Sequence, residues 1–446
     1  MRPSRRRLSL ALVLLLGPML AGAQAGSPLT LPEAIAWAVN HNPKTAAATA
    51  RVQQAEARVQ AAAAPAQPAF KLSGSGRLQG PVQEISIPVV PGRSVAITRS
   101  EHATVALGVV WPLWTGGRVE AATGAARAQV SAAEADLQQA VEQLIYEVGL
   151  AYFRVLSTRS RLDDARAGLS LAEESLRTAR ALRDAGALIG AELAQAEAAH
   201  RQAQQQLSAA ANAATDAEQT LNTLLVRPLG EPVVLTQTAL ELQCPADPDE
   251  AQAVAQAVRP ELLALASRQE AAEQAIALAR AERNPTVAAV GQVAWQTPTD
   301  VMESHAEFFG VEFSWPILHH PASRAGERGT RASVREVEEV RRDLESAIRL
   351  QVGESGRRLA DAEEVVAATA EALRAAREAD RQAAVAYDAG TTTRRAREVA
   401  RAAAHQAEAA ATQAEHARSA THLSRARALG LLRTLFLIPP QEPEGR

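Results

Sequence analysis

Cysteine is almost missing from this chain of 446 residues: Cys244 stands alone. No intramolecular disulfide can form, so packing must hold the fold, and Cys244 reads as an inert thiol in a linker. Aromatic residues make up only 3% of the chain. Beyond the amino-terminal segment no stretch reaches the ~20 uninterrupted apolar residues that a spanning helix needs. Positive charge is not in excess either: the formal net charge is -3, which gives no support to nucleic-acid binding. Catalytic signatures are missing as well, since no G-x-S-x-G, H-E-x-x-H, P-loop or dinucleotide fingerprint occurs. The sequence makes no positive case for an enzyme, a cofactor or a metal.

What is present begins with MRPSRRRLSLALVLLLGPMLAGAQA: four arginines, an apolar run and then small residues. That order predicts a signal peptide over residues 1–25, cut after Ala23 or Ala25, and export from the cytoplasm. Loss of the four arginines would take the formal charge from -3 to -7. Cys244 is far from the cleavage site, so lipid attachment to an amino-terminal cysteine is not expected.

An internal repeat organises the rest. LTLPEAIAWAVNHNP and DPDEAQAVAQAVRP each open a helix with a capping box, Thr30 with Glu33 and Asp247 with Glu250. These pairs, Pro43/Pro260, Pro68/Pro285 and Gly74/Gly291 are 217 residues apart, whereas Trp111/Trp315, Val148/Val352 and Asp184/Asp388 are 204 apart. One insertion in the Gly/Pro/Ser-rich segment around Gly80 to Ser100 accounts for the change and reads as an enlarged loop. The expected division is residues 26–230 for the first repeat, 231–246 for a linker, 247–436 for the second repeat and 437–446 for a disordered tail.

Each repeat carries two strands of period two. Val287, Ala289, Gly291, Val293 and Trp295 share one parity, as do Phe309, Val311, Phe313 and Trp315, and Ala103, Val105, Leu107, Val109 and Trp111; Phe70 and Leu72 mark a weaker first strand. Eight of the eleven Phe and Trp residues lie in or beside these strands. Strands of about ten residues, greasy on one face and small or polar on the other, with aromatics near their ends, fit a transmembrane β-barrel; the same alternation fits a soluble sandwich. Trp111, Trp114, Trp295, Phe309, Phe313 and Trp315 are the candidate membrane-interface aromatics. Four strands cannot close a barrel, and an open edge in hydrocarbon leaves backbone groups unpaired, so the membrane reading requires several chains.

Long helices follow. No proline interrupts Arg118 to Arg183, and Leu137, Val141, Leu144, Val148, Ala151 and Val155 begin a coiled-coil seam. A break at Asp184-Ala185-Gly186 and a second seam from Leu193 to Leu224 predict an antiparallel hairpin. The second repeat does the same from about Ala325 to Tyr387, breaks at DAGTTT and is expected to resume through Leu435. His200 reads as a seam residue, His319-His320 as a polar strand exit, and Asp163-Asp164 and Glu173-Glu174 as solvated ion-pair partners.

The order and spacing of LTLPEAIAWAVNHNP, VVWPLWTGGR, EFSWPILHHP, LRDAGALIGAELAQA and AYDAGTTTRRAREVARA resemble the TolC family of outer-membrane efflux proteins over nearly the whole mature chain. The resemblance implies a mainly α protein with a small β part. Three chains would contribute four strands each to a 12-stranded transmembrane β-barrel, and their hairpins would form a periplasmic α-barrel. It further implies a passive channel of a tripartite efflux or type I secretion system, partnered by a periplasmic adaptor, an inner-membrane pump and outer-membrane lipid. The tip residues it places at the gate and adaptor contact are Gly186, Glu192 and Leu193, with Tyr387 and Gly390 in the second repeat. Where the family has an acidic residue six positions after the tip glycine, Glu192 fits but the second repeat has Ala396 amid Arg394, Arg395 and Arg397, which suggests a more basic closed end. A soluble periplasmic coiled-coil scaffold or adaptor is the competing class; it predicts extraction without detergent and no pore.

Overall fold

The computed structural model describes residues 28–78, 80, 84–86, 94–96, 100–187, 189–298, 303–317 and 321–437; the expected signal peptide, His319, His320 and residues 438–446 lie outside them. The first half runs α1 (Leu31–His41), α2 (Pro43–Ala63), β1 (Ala69–Leu78), β2 (Glu84–Ser86), β3 (Ser94–Ala96), β4 (Glu101–Trp114), α3 (Arg118–Asp184) and α4 (Gly190–Leu224). The second runs α5 (Pro248–Val258), α6 (Pro260–Ala281), β5 (Thr286–Gln296), β6 (His305–Ser314), α7 (Pro321–Asp388), α8 (Arg394–Leu429) and α9 (Leu432–Leu437). The fold is mainly helical with one small sheet.

Local chemistry starts these helices. The Glu33 carboxylate accepts from the Thr30 backbone N–H at 2.9 Å, and the Asp247 carboxylate accepts from the Glu250 N–H at 2.9 Å, each supplying an acceptor at the positive end of a helix. Proline follows Asn42 and Arg259 at the first position of α2 and α6, where its missing N–H costs nothing. The paired long helices have matching lengths, 67 residues for α3 and 68 for α7, 35 for α4 and 36 for α8. At ~1.5 Å per residue, α3 and α7 each extend about 100 Å.

The seams pack as heptads where they meet other elements. Leu144, Ile145, Val148, Tyr152 and Val155 of α3 are buried with Ile35, Leu221, Leu225 and Leu423 in the main core, part-way down the rods. A smaller core joins Leu262, Ile348, Val352 and Leu429. Below these cores α3 runs beside α4 and α7 beside α8, and the seam thins to alanine with occasional buried Leu176 and Leu193.

Two segments differ from expectation. The enlarged loop holds a short antiparallel ribbon, with Ile85 opposite Val95; three-residue strands are too short for alternation to register. The final helix stops at Leu429 instead of continuing to Leu435, because Gly430 adopts φ 73° and Leu431 N–H turns back to the Ala426 carbonyl at 2.9 Å. A Cβ at Gly430 would also lie 3.2 Å from Arg259 Cα, so glycine there serves both turn and packing.

Candidate functional site: an apolar sheet face and two hairpin tips

The sheet order is β1-β4-β5-β6, every pair antiparallel. Register decides what each face carries. Leu72 opposes Leu107, Leu107 opposes Val293, Phe70 opposes Val109, and Ala289 opposes both Trp111 and Val311. All the apolar parities read from sequence therefore fall on one face. The opposite parity carries Lys71, Ser73, Ser75, Arg77, Thr104, Gln292, Gln296 and Glu312 together with small residues, and three apolar exceptions, Val110, Val290 and Phe308.

The apolar face has no cover: Phe70 is 74% exposed, Phe309 75% and Phe313 62%. The eight steps from Val287 to Trp295 span ~26 Å along the strand, about 20 Å in height at a tilt near 40°, close to the apolar band of an outer-membrane barrel. Trp114 and Phe313 both oppose Val287 at the helix-bearing end, with Trp111 two pairs further in and Trp315 just beyond β6, whereas Trp295 lies at the loop end. Phe309 sits at mid-height opposite Gly291; a Cβ on Gly291 would lie 2.6 Å from its ring. A bulge between Pro112 and Trp114 inserts Leu113 as the extra residue. Without it Trp114 would point to the polar side; proline, having no N–H, is well placed at such a break.

Just below the sheet, Glu327 of α7 accepts ion pairs from Arg280 at 3.0 Å, Arg283 at 3.0 Å and Arg331 at 2.8 Å. Its hydrogen bond from Arg280, with the other two arginines adding, holds the carboxyl below the usual carboxylate range.

At the far end of the rods the two tips share one geometry. Gly186 has φ 71° and Gly390 φ 73°. Ala187 N–H returns to the Leu182 carbonyl and Thr391 N–H to the Ala386 carbonyl, both at 2.8 Å. Glu192 is exposed in the first turn of α4, without an ion-pair partner among the described residues, and Leu193 is buried beside it. On the second tip, Thr393 caps α8 by accepting from Ala396 N–H at 3.2 Å. Arg394 bonds Glu398 at 2.7 Å and, across the hairpins, Glu174 at 2.6 Å. Arg397 lies over the Tyr387 ring, 5.2 Å from its centroid, while Arg395 is exposed and has no ion-pair partner among the described residues. Glu174 is the residue near the tips that the sequence analysis left as an ordinary solvated charge; nothing in a linear spacing joins position 174 to 394.

Between tips and sheet lies a buried charged group. Glu142 of α3 is pushed up to about 7, chiefly by burial and further by Glu261, despite Arg433 and Arg259 nearby. Arg259 is buried and donates to Gln351 at 2.9 Å. Among the described residues no helix is long and apolar enough to cross a membrane.

The sequence model of the family described as outer membrane efflux protein matches residues 34–226 and 253–431. No curated protein matches the chain. Among solved structures, the chain is similar to the outer-membrane channel OprN, with 24% identity, a TM-score of 0.71, and coverage of 90% of this chain and 89% of that one. It is also similar to the Campylobacter jejuni CmeC outer membrane channel, with 16% identity, a TM-score of 0.75, and coverage of 96% and 94%. The outer membrane protein VceC from Vibrio cholerae matches with 18% identity, a TM-score of 0.72, and coverage of 90% and 96%.

Proposed function

The chain belongs to the outer membrane efflux protein family, and from that premise we propose that it is the passive outer-membrane channel of a tripartite efflux or type I secretion system. Three copies would close a 12-stranded barrel in the outer membrane and continue as a helical tunnel in the periplasm. Cargo would arrive from an inner-membrane pump through a periplasmic adaptor, and the energy would be the pump's.

One observation carries this reading: a four-stranded sheet most of whose large apolar residues share one uncovered face and whose outer edges, β1 and β6, are unpaired. In water such a face invites aggregation, whereas in lipid it is the solvated side. An open edge is intolerable in hydrocarbon, so closure must come from other copies. The opposite, polar parity suits a water-filled bore. The similar solved structures include proteins described as outer-membrane channels. A soluble scaffold would have to hide the same face, and no described element does so.

For the tips we assign closure of the tunnel and contact with the adaptor to Gly186, Glu192, Leu193, Tyr387, Gly390, Arg394 and Arg395. Gly186 and Gly390 set the turns, Arg394 ties one hairpin to the other, and Glu192 and Arg395 are left to face the bore or the adaptor.

Detergent fractionation followed by mass measurement of the solubilised particle tests the channel reading. Outer-membrane material of three chain masses is expected. A monomer released without detergent would overturn it.

A further inference from the structure

The two strand hairpins are superimposable in register. Ala69 pairs with Val110 in the first; moving 217 residues from Ala69 gives Thr286, moving 204 from Val110 gives Ser314, and these two pair in the second. Every pair along both hairpins obeys the same two offsets. The sheet therefore contains one repeating interface, β4 against β5, that links a second strand to the next first strand. The only equivalent junction is β6 against β1, and one chain cannot make it, since these are the two ends of the sheet.

We propose that β6 of one copy pairs with β1 of the next in the register dictated by β4 and β5: Phe313 opposite Gly74, Glu312 opposite Ser75 and Val311 opposite Gly76. The inference rests on the trimeric channel reading above and adds the residue-level contact to it. Val109 opposite Gly291, Gly108 opposite Gln292 and Leu107 opposite Val293 are the parent pairs within the chain.

Side-chain size supports this alignment. Gly291 is overlain by Phe309, whose ring stands 2.6 Å from where a Cβ would be, and is flanked on its other side by Val109 at 3.2 Å. Gly74 is the equivalent glycine, and its space is unfilled: a Cβ there meets nothing closer than the Thr104 carbonyl at 3.9 Å, and one at Gly76 meets nothing within 4 Å. The proposed register lays Phe313 and Val311 over these two vacant positions. A slip of one residue would turn the greasy set of β6 into the bore. A slip of two would set Phe313 against Leu72 or Val311 against Leu78 in place of a glycine.

Charge agrees. Glu312 and Arg77 share the polar face, are both exposed and have no ion-pair partner among the described residues. In this register Arg77 sits diagonally across from Glu312 of the neighbouring copy, at ~7 Å between backbones, within reach of two long side chains.

Pair type selects the test. Thr297 N–H donates to the Ala103 carbonyl at 2.9 Å, which marks 103/297 as a hydrogen-bonded pair. The pairs alternate, so Gly108/Gln292, and with it Glu312/Ser75, is of the closer, non-hydrogen-bonded kind that accommodates a disulfide. In the full-length protein with Cys244→Ser, the substitutions Ser75→Cys and Glu312→Cys should give, after mild oxidation, a covalent trimer reversible by thiol. Its yield should exceed at least tenfold that of Glu312→Cys combined with Ser73→Cys or with Arg77→Cys. Preferential linkage through either shifted pair overturns the register while leaving the channel reading intact, as does a particle of three chain masses in which no pair links. A particle of one chain mass in every variant overturns both. Independently, Arg77→Glu should lower the detergent resistance of the trimer and added Glu312→Arg should restore it; absence of restoration counts against the proposed contact.

Discussion

Arg394, at the start of α8, places Nη2 2.6 Å from Oε1 of Glu174 on α3, a contact between residues 220 apart in sequence. Both side chains are exposed enough for solvent to screen them, so one such pair alone contributes little. Three copies around a trimer would act together on the same closed end.

Arg394→Ala is accordingly expected to raise conductance in planar bilayers, and Glu174→Gln to do the same. The double variant should add little to either single one, because both remove one bond. Conductance and export unchanged in all three would remove this contact from the gate.

Glu142 makes stability depend on pH. Its carboxyl pKa, held up to about 7 by burial, keeps a proton in the folded chain that an unfolded chain releases near 4.5. Between those values the folded state binds more protons, so stability falls as pH rises, by up to about 3 kcal/mol at ~1.4 kcal/mol per unit. Glu142→Gln should match the parent at pH 5 and show a higher Tm at pH 8. An equal Tm difference at both pH values would contradict this.

Gly291→Val should weaken the barrel. The added side chain meets the Phe309 ring and Val109 at once, and overpacking of this kind costs ~1–3 kcal/mol. Thermal dissociation of the detergent-resistant oligomer should occur at lower temperature, and Phe309→Ala in the same chain should recover part of the loss.

Tyr152→Phe tests the main core. The buried hydroxyl lies 2.7 Å from the Thr236 carbonyl and 3.0 Å from the Leu29 carbonyl, tying the amino-terminal segment and the linker to α3. Its loss should cost ~1–2 kcal/mol and speed hydrogen exchange around Leu29 and Thr236, with little effect on the tips.

Periodicity made most of the fold legible. The parity of Val287 to Trp295 and of Phe309 to Trp315 assigned the correct face before any coordinates, since alternation is a local property that register then makes global. Capping residues such as Asp247 marked helix starts for the same reason. What stayed hidden depended on distant parts meeting. Glu174, paired locally with Arg177, gained its distant partner Arg394 only when two hairpins came side by side, and the setting of Glu142 exists only where Arg259, Glu261 and Arg433 converge on it. Phe309, grouped with the interface aromatics by composition, is at mid-height because the strand is longer on its loop side than aromatic spacing alone reveals. The bulge that returns Trp114 to the apolar side was equally invisible, for Pro112-Leu113 carries no alternation of its own.

The unpaired outer edges of β1 and β6 also set the order of events in biogenesis. Hairpin rods can zip up within a single nascent molecule at a rate indifferent to how many others are present. In the proposed trimer, ring completion would by contrast be a high-order encounter, steeply dependent on local copy number. Between the two steps each newcomer would travel with a sticky ribbon unsheltered, and the level of synthesis would govern the contest between productive insertion and clumping.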